Sequence, residues 1–232
     1  STHCISSAAS DVYKRQPRIL VTGFEPFEQD PVNPSWEVAR ALHGETVAGA
    51  TVHGLQLRCV FGESLRQLQE ALAQLQPVLV ISLGLAGGRS EFTPERVAIN
   101  IDDARIPDHA ARQPVDQVVI PGAPAAYFST LPIKAVVHNL RARGIPSSVS
   151  NTAGTFVCNH VFFALMHWLA QGKAAPGARG GFIHVPALPE QAARKPGMPS
   201  MCLADQVAAV RETIRTALTV TQDLKENAGQ LH

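Results

Sequence analysis

The stretch SVSNTAGTFVCNH, residues 148–160, predicts the local structure around which the rest of the chain is arranged. Alternating residues over 147–151 indicate an extended strand, and a small polar turn that contains Gly154 follows it. Apolar side chains then recur at the spacing of a half-buried helix, at Phe162, Leu165, Met166 and Leu169. Cys158 is therefore predicted to lie at or just before the first turn of that helix.

The predicted position of Cys158 indicates a reactive thiol. Unpaired N–H groups and the macrodipole at a helix start favour an anion, which would push the thiol toward its thiolate. A nucleophile held by a strand, a turn and a helix start is a recurring catalytic arrangement. The competing interpretation is a buried structural cysteine, because free cysteine is among the most buried residue types. Position alone leaves both interpretations open.

Composition limits the classes of protein to consider. The chain has 232 residues, 45% of them hydrophobic, which suits one α/β domain with a sizeable core. Its net charge is +1 and its basic residues are scattered, so neither nucleic acid nor a membrane is an expected partner. The cysteines show neither a CxxC pair nor zinc-ligand spacing, which favours a reducing, cytoplasmic location over a disulfide framework.

Both ends of the chain are predicted to lie outside the domain. Residues 1–16 are polar and aperiodic, and residues 11–16, DVYKRQ, are what the transposon-end sequence GATGTGTATAAGAGACAG encodes. We therefore expect a translated sequencing adaptor there, with an ordinary disordered leader as the alternative. The domain is predicted to span residues 17–222, followed by a frayed tail over residues 223–232.

Alternating strands and helices predict the fold class. Apolar runs near residues 18–23, 52–60, 77–83 and 180–186 indicate strands, and amphipathic helices lie between them. This pattern predicts a single-domain, three-layer α/β/α sandwich with a mostly parallel, twisted sheet. Ligands of such sheets bind at the carboxyl ends of the strands. The residues predicted to meet there are Phe24, Phe27, the glycines of residues 84–88, Cys158 and His184. Core packing is the competing explanation for the two phenylalanines.

These residues supply most of a cysteine hydrolase centre. Such a centre needs a thiolate, an imidazole that protonates the leaving amine and a group that orients the imidazole. Cys158 and His184 provide the first two, and Glu95 is the candidate for the third. His160 and His167 are expected to be structural, and no HExxH motif supports a zinc hydrolase.

Several long motifs together resemble the pyroglutamyl peptidase type I family. They are TGFEPF with NPSW, GLAGGRSEFTPERVAINIDDARIP, SVSNTAGTFVCNH and HVPALPEQ, in that order between about residues 18 and 218. The resemblance implies a cysteine exopeptidase that removes N-terminal pyroglutamyl residues from peptides through a thioacyl-enzyme. It also implies that no metal or organic cofactor is needed, and that the chain forms a homotetramer.

The resemblance assigns roles residue by residue. Glu95, Cys158 and His184 match the family's catalytic residues, and Arg105 matches an arginine near the reacting carbonyl. The remaining residues expected to bind substrate or the oxyanion are Phe24, Phe27, Asn33, Gly84, Phe156 and Val157.

Three departures from the family pattern fall near the predicted pocket. Glu28 and Gln29 stand where two glycines are usual, Leu85 where many members have glutamine, and Phe92 where an aliphatic residue is usual. None of them removes a catalytic group. Glu28 is expected to alter the lip of the pocket and hence the range of substrates.

Two other functions fit the same fold class. A phosphorylase-type transferase would hold phosphate with the glycines of residues 84–88, and its phosphate-dependent cleavage of nucleosides would survive loss of Cys158. A catalytically inactive binding module is the second alternative. The intact set of Glu95, Cys158 and His184 argues against that module.

Overall fold

The computed structural model describes residues 16–27 and 30–229, and the described chain is an α/β fold, as predicted. The strands are β1 (Arg18–Phe24), β2 (Thr46–Val47), β3 (Ala50–Leu57), β4 (Leu79–Leu85), β5 (Thr93–Pro94), β6 (Val97–Ile99), β7 (Ala126–Phe128) and β8 (Arg179–Val185). The helices are α1 (Pro34–Leu42), α2 (Glu63–Leu75), α3 (Ile133–Ala142), α4 (Val157–Ala170), α5 (Pro189–Ala192) and α6 (Leu203–Thr219).

Six strands form one mixed sheet in the order β2-β3-β1-β4-β8-β5. The inner pairs β3–β1, β1–β4 and β4–β8 are parallel, whereas β2 and β5 run antiparallel at the two edges. Strands β6 and β7 pair separately as a small antiparallel sheet. The parallel pairs bring the carboxyl ends of β3, β1, β4 and β8 to one edge, where the site lies.

The central strands are buried on both faces. In β1, Ile19 and Val21 belong to one apolar cluster, and Leu20 between them belongs to a second. Successive side chains of a strand point to opposite faces, so this alternation explains why the strand is a continuous apolar run. Helices α1, α3 and α6 contribute to the first cluster, and helices α2 and α4 to the second.

Residues 147–151 differ from the sequence prediction. They are extended but form no strand; Ser147 and Ser150 make only single bridges, to Phe92 and Glu95. The Ser150 hydroxyl donates to the Thr152 carbonyl and accepts the N–H of the same residue. The Ser150 backbone also bonds to Pro94 and Arg96, but the chain bends directly after it, so the segment before Cys158 is an extended chain and a turn.

Strand β1 begins at Arg18, next to residue 17, where the sequence predicts the domain to start. Residues 1–15 of the predicted leader lie outside the described residues, as do Glu28 and Gln29. Gln16, which the sequence assigns to the leader, accepts a hydrogen bond from the Thr51 hydroxyl at 2.9 Å. None of the helices in the described part of the chain has the length and apolar composition that spanning a bilayer requires.

Residues 223–229, which the sequence predicts to fray, contact the rest of the domain. The carboxylate of Asp223 accepts the backbone N–H groups of Lys134 and Ala135 at 3.1 and 2.9 Å, at the start of α3. Farther along, the Arg96 guanidinium donates to the carbonyl of Ala228 at 2.6 Å. The polar composition of this segment gives no sign of these contacts because its partners are distant in sequence.

Candidate active site

Cys158 is the second residue of α4 and lies above the end of β4. Phe156 precedes the helix with extended backbone, and no side chain caps the first turn. The Cys158 sulfur rests against Gly84, where a Cβ atom would come within 2.8 Å of it and within 2.8 Å of the Phe182 ring. Gly84 was predicted to bind substrate or the oxyanion. In the structure, its lack of a side chain leaves room for the Cys158 sulfur.

His184 and Glu95 form a buried pair beside the nucleophile. In the β4–β8 pairing His184 is the register partner of Gly84, so its strand runs directly next to the residue beneath the sulfur. Its Nδ1 donates to Glu95 Oε1 at 2.7 Å, and the Glu95 side chain is fully buried. A carboxylate only accepts, so Nδ1 carries the proton and Nε2 is left as the basic nitrogen. This geometry places the predicted orienting group on the predicted imidazole.

Gly84 lies beneath the Cys158 sulfur and pairs with His184, so the thiol and the imidazole belong to adjacent elements, and among the described residues no hydrogen bond joins them. Catalytic hydrogen bonds often become short only when substrate aligns the groups, so this arrangement is compatible with a nucleophile and its base.

Arg89 is a further part of the site that the sequence motifs did not assign. Its Nη1 donates to the same Glu95 Oε1 at 2.7 Å and to the Thr93 hydroxyl at 2.7 Å. Its Nη2 donates to the carbonyl of Thr152 at 3.1 Å, in the turn before Cys158. Arg89 therefore keeps the buried Glu95 charge paired and ties it to the turn. The signal was present as an arginine directly after the glycines of residues 84–88.

The surroundings of Cys158 act against its thiolate, contrary to the sequence prediction. Burial and, after it, the negative charge of Glu95 raise the pKa of the Cys158 thiol to about 12, and Arg89 opposes them. Desolvation thus outweighs the favourable helix start. Because the negative charge of Glu95 acts together with burial, Cys158 loses its proton less readily here than an ordinary thiol would.

A cavity of about 430 Å³ opens beside Cys158. Most residues that were predicted to bind substrate line it: Phe24, Phe27, Asn33, Arg105 and Phe156. Val157 does not, because its side chain is fully buried in the second apolar cluster. The sequence did not assign several other lining residues, including Asp30, Cys59, Gln191, Lys195 and Met198. They come from loops far apart in the chain, which explains why local motifs did not reveal them.

Aromatic rings form one wall of the cavity. The Phe27 and Phe156 rings lie 5.7 Å apart, and Phe61 meets Phe156 edge-on at 5.3 Å. His109 stacks on the outer side of Phe27 at 4.7 Å. Rings in such tilted and stacked arrangements support one another and present a flat, apolar surface.

Asn33 holds the loop that carries Phe24. Its Oδ1 accepts from the Ser35 N–H at 3.2 Å and the Ser35 hydroxyl at 2.8 Å, and so caps α1. Its Nδ2 donates to the carbonyl of Glu25 at 3.0 Å, and the Ser35 hydroxyl accepts the N–H of Phe24 at 2.9 Å. The amide that was predicted to bind substrate therefore also fixes the first loop.

His160 belongs to a second buried histidine–carboxylate pair. Its Nδ1 donates to Asp102 Oδ2 at 2.8 Å, and its Nε2 accepts the N–H of Gly62 at 3.0 Å. Its ring also meets Phe61 edge-on at 5.4 Å. His160 thus supports the aromatic wall from behind, and Asp102 is engaged away from His184. His167 lies farther along α4, where Tyr127 contacts it at 2.9 Å.

Comparisons with known proteins agree with this geometry. A family model described as pyroglutamyl peptidase matches residues 17–220. The chain is 57% identical over 216 residues to a pyrrolidone-carboxylate peptidase of Cupriavidus taiwanensis. It is 59% identical over 216 residues to pyrrolidone-carboxylate peptidase 1 of Ralstonia nicotianae. Each match covers 93% of this chain and 100% of the relative.

Solved structures share the fold. The crystal structure of pyroglutamyl peptidase I from Bacillus amyloliquefaciens matches with a TM-score of 0.88 at 44% identity, covering 92% of this chain and 100% of that one. Pyrrolidone carboxyl peptidase from Thermococcus litoralis matches with a TM-score of 0.87 at 37% identity, covering 91% and 99%. The resemblance inferred from the motifs is confirmed. This chain belongs to the pyroglutamyl peptidase family.

Proposed function

We propose that this chain removes N-terminal pyroglutamyl residues from peptides with Cys158 as nucleophile, His184 as acid and base, and Glu95 as the group that orients His184. The family match over residues 17–220 supports the activity. The observation that carries the roles is the Glu95–His184 pair, at 2.7 Å, on the strand beside the Cys158 sulfur. The enzyme is a cysteine peptidase.

Acylation requires two proton transfers and one substitution at the carbonyl carbon. His184 Nε2 takes the thiol proton of Cys158 while the sulfur attacks the pyroglutamyl carbonyl, forming a tetrahedral adduct. The C–N bond then breaks, and the His184 imidazolium gives its proton to the departing amine. Glu95 holds the ring and stabilises its cation through these steps. The products of this half-reaction are a thioester on Cys158 and the shortened peptide.

The start of α4 is suited to the oxyanion. No side chain caps its first turn, so the backbone N–H groups beside Cys158 are available to an oxyanion. Arg105 lines the cavity and adds a positive charge. Water then attacks the thioester with His184 as base, releasing pyroglutamic acid and restoring the thiol.

Specificity follows from the chemistry of the lactam. Pyroglutamate is uncharged and flat, with one N–H donor and one carbonyl acceptor. Phe24 and Phe27 would cover its faces, while backbone groups at Phe156 and Val157 would pair with the lactam edge. An N-terminal proline lacks the carbonyl and carries a charge, so it would leave a buried donor unpaired and bury a cation.

A fluorogenic pyroglutamyl amide tests the proposed roles. Cys158→Ser should lower turnover by several orders of magnitude, because a serine hydroxyl ionises far less beside the same histidine. Cys202→Ser is the matched control and should leave turnover unchanged, since Cys202 is exposed and is not among the residues that line the cavity. Phosphate-dependent nucleoside cleavage that survives Cys158→Ser would instead establish the transferase alternative.

A matched prolyl amide tests the lactam. Sites that hydrogen-bond a substrate group reject analogues that lack it by roughly 10⁴-fold. We therefore expect negligible cleavage of the prolyl and glutamyl amides under conditions in which the pyroglutamyl amide is hydrolysed. Similar kcat/KM values for the prolyl and pyroglutamyl compounds would contradict this pocket.

We further propose a three-layer α/β/α arrangement with a mostly parallel, twisted sheet, in one domain over residues 17–222. The two apolar clusters that share β1 and the family match over residues 17–220 support it.

A homotetramer is supported by exposed apolar side chains at Val115, Val118 and Phe128, and sedimentation velocity would test it. A cytoplasmic location is supported by three free cysteines in the described part of the chain.

A further inference from the structure

The cavity continues to both sides of Cys158, and the sheet order separates its two halves. Phe24 ends β1 and Cys59 follows β3, on one side of β4. Leu85 ends β4 and Gly87 follows it, and Ala187 and Met198 follow β8, on the other side. A volume of about 430 Å³ is far more than a five-membered ring fills, so the second half is available to another part of the substrate.

The position of His184 decides which half receives the leaving group. The proton donor must lie within hydrogen-bond reach of the departing nitrogen. His184 is on β8, so that nitrogen must face the half formed by the ends of β4 and β8. The pyroglutamyl ring then occupies the opposite half, between the aromatic side chains that follow β1 and precede α4.

We propose that Leu85, Met198 and Lys195 form a leaving-group subsite, and that its preferred substrates are short pyroglutamyl peptides with an apolar second residue and a free carboxylate close behind it. The proposal rests on the roles proposed for Cys158 and His184.

The apolar part of the subsite is the space next to Gly87, which has no side chain. A Cβ atom on Gly87 would lie 3.6 Å from the Met198 Cε, so the methionine side chain reaches across the glycine loop. Leu85, at the end of β4 directly before this loop, is partly exposed and lines the cavity. Methionine adapts to irregular shapes because it is unbranched and polarisable. Together these side chains can contact an aliphatic or aromatic group without selecting for one particular shape.

Lys195 supplies positive charge at the rim. Asp30 accepts one hydrogen bond from Arg194 at 2.7 Å and a longer one from Lys195 at 3.3 Å. Partial burial works in the opposite direction, but these cations hold the pKa of Asp30 below its ordinary value. Two cations thus share one carboxylate, and half of the Lys195 side chain is exposed. The spare N–H donors of the ammonium group can bind the carboxylate of a short peptide.

The test compares three substrates: pyroglutamyl-leucine, pyroglutamyl-glycine and pyroglutamyl-leucinamide. Leu85→Gln should lower the leucine-to-glycine ratio of kcat/KM by about tenfold, the scale of apolar discrimination in a pocket. Leu85→Met should preserve most of that ratio, because the contact remains apolar.

Lys195→Gln should lower the ratio of pyroglutamyl-leucine to its amide by about threefold, as expected for a partly exposed charge pair. Raising the salt concentration should shrink the same ratio in the unaltered enzyme. Lys173→Gln removes an equal charge just beyond the far end of α4, about 20 Å from Cys158, and should leave the ratio unchanged.

Ratios that do not respond to Leu85→Gln and Lys195→Gln would overturn the subsite while the enzyme still hydrolyses pyroglutamyl amides. Failure of the catalytic proposal is a different result, namely turnover that persists in Cys158→Ser.

Discussion

At the scale of single residues, Glu95 accepts two hydrogen bonds, from Arg89 and His184, with the same carboxylate oxygen atom. Oε1 accepts from both His184 and Arg89 at 2.7 Å, whereas Oε2 is buried without a hydrogen-bond partner among the described residues. A buried carboxylate with only a histidine would be costly when that histidine is neutral. Arg89 therefore gives the buried Glu95 side chain a permanently charged partner beside the imidazole.

Alkylation should reveal how Cys158 becomes ionised. Its thiol pKa is raised to about 12, mainly by burial and then by Glu95, so at neutral pH the thiolate depends on the imidazolium of His184. In His184→Gln we therefore expect iodoacetamide labelling of Cys158 to increase only as the pH approaches 12. The unaltered enzyme should label near neutrality. Peptide mass spectrometry measures both rates, and the exposed Cys202 should label equally in the two proteins.

Two substitutions of His160 should separate its two hydrogen bonds. Glutamine can still offer an oxygen where Nε2 accepts from Gly62, whereas asparagine can only replace the donor that faces Asp102. Because Gly62 follows Phe61 of the aromatic wall, we expect His160→Asn to raise KM about fivefold, the value of one hydrogen bond, with little change in kcat. His160→Gln should raise KM less. Equal KM values in the two variants would show that the Gly62 contact is unimportant to the pocket.

At the scale of elements, α4 packs closely on β4 because Gly84 has no side chain. Gly84 is a buried residue of β4, and the space above it holds both the Cys158 sulfur and the edge of the Phe182 ring. The sequence shows a glycine near a strand end but not what lies over it. That information comes from the contact between Gly84 and Cys158, which are 74 positions apart in the sequence. No local sequence pattern contains it.

Gly84→Ala should therefore impair catalysis more than folding. The new Cβ would be 2.8 Å from the sulfur and from the Phe182 ring, so one of them must move. We expect kcat/KM to fall by at least about tenfold, because small misplacements of reacting groups are costly. Thermal unfolding followed by circular dichroism checks the fold in parallel. Activity within twofold of the parent would mean that the sulfur does not need this position.

The elements themselves were predicted unevenly. Strands β1, β4 and β8 are apolar runs ending at functional residues, and α4 follows an apolar stripe, so period and burial reveal them directly. Residues 147–151 alternate equally well, but they pair with the neighbouring segment only through isolated bridges at Ser147 and Ser150. Alternation signals an extended chain; whether a neighbour is free to pair with it is decided elsewhere in the fold.

At the scale of the whole molecule, the rule for open parallel sheets accounts for most of the site. It brings Phe24, Cys158 and His184 together from separate segments, and their neighbourhood was predicted from it. The rim was not predicted. Asp30 meets Lys195 across 165 positions of sequence, and the rule says nothing about which loops touch. Long-range polar contacts of this kind depend on side-chain reach rather than on pattern.

Asp223 should contribute measurably to the stability of the molecule. Pro132 gives α3 no side-chain cap, and Asp223 supplies one from the end of the domain. Losing such a cap costs about 1 kcal/mol, so Asp223→Ala should lower the free energy of unfolding by that amount. Asp223→Asn keeps an accepting oxygen and should lose less. Urea unfolding compares the two, and equal losses would indicate that the negative charge, rather than the cap, is what stabilises α3.

The two histidine–carboxylate pairs also give the molecule a built-in spectroscopic standard. His160 and His184 each hold an Nδ1 proton against a buried carboxylate, at 2.8 and 2.7 Å. Protons confined in such short, charge-assisted bonds exchange slowly with water and resonate far downfield in proton NMR spectra. One of them reports on the imidazole beside the nucleophile, while the other is tied to the scaffold behind the aromatic wall. An inhibitor that engages the sulfur would shift the first resonance and leave the second as an internal reference.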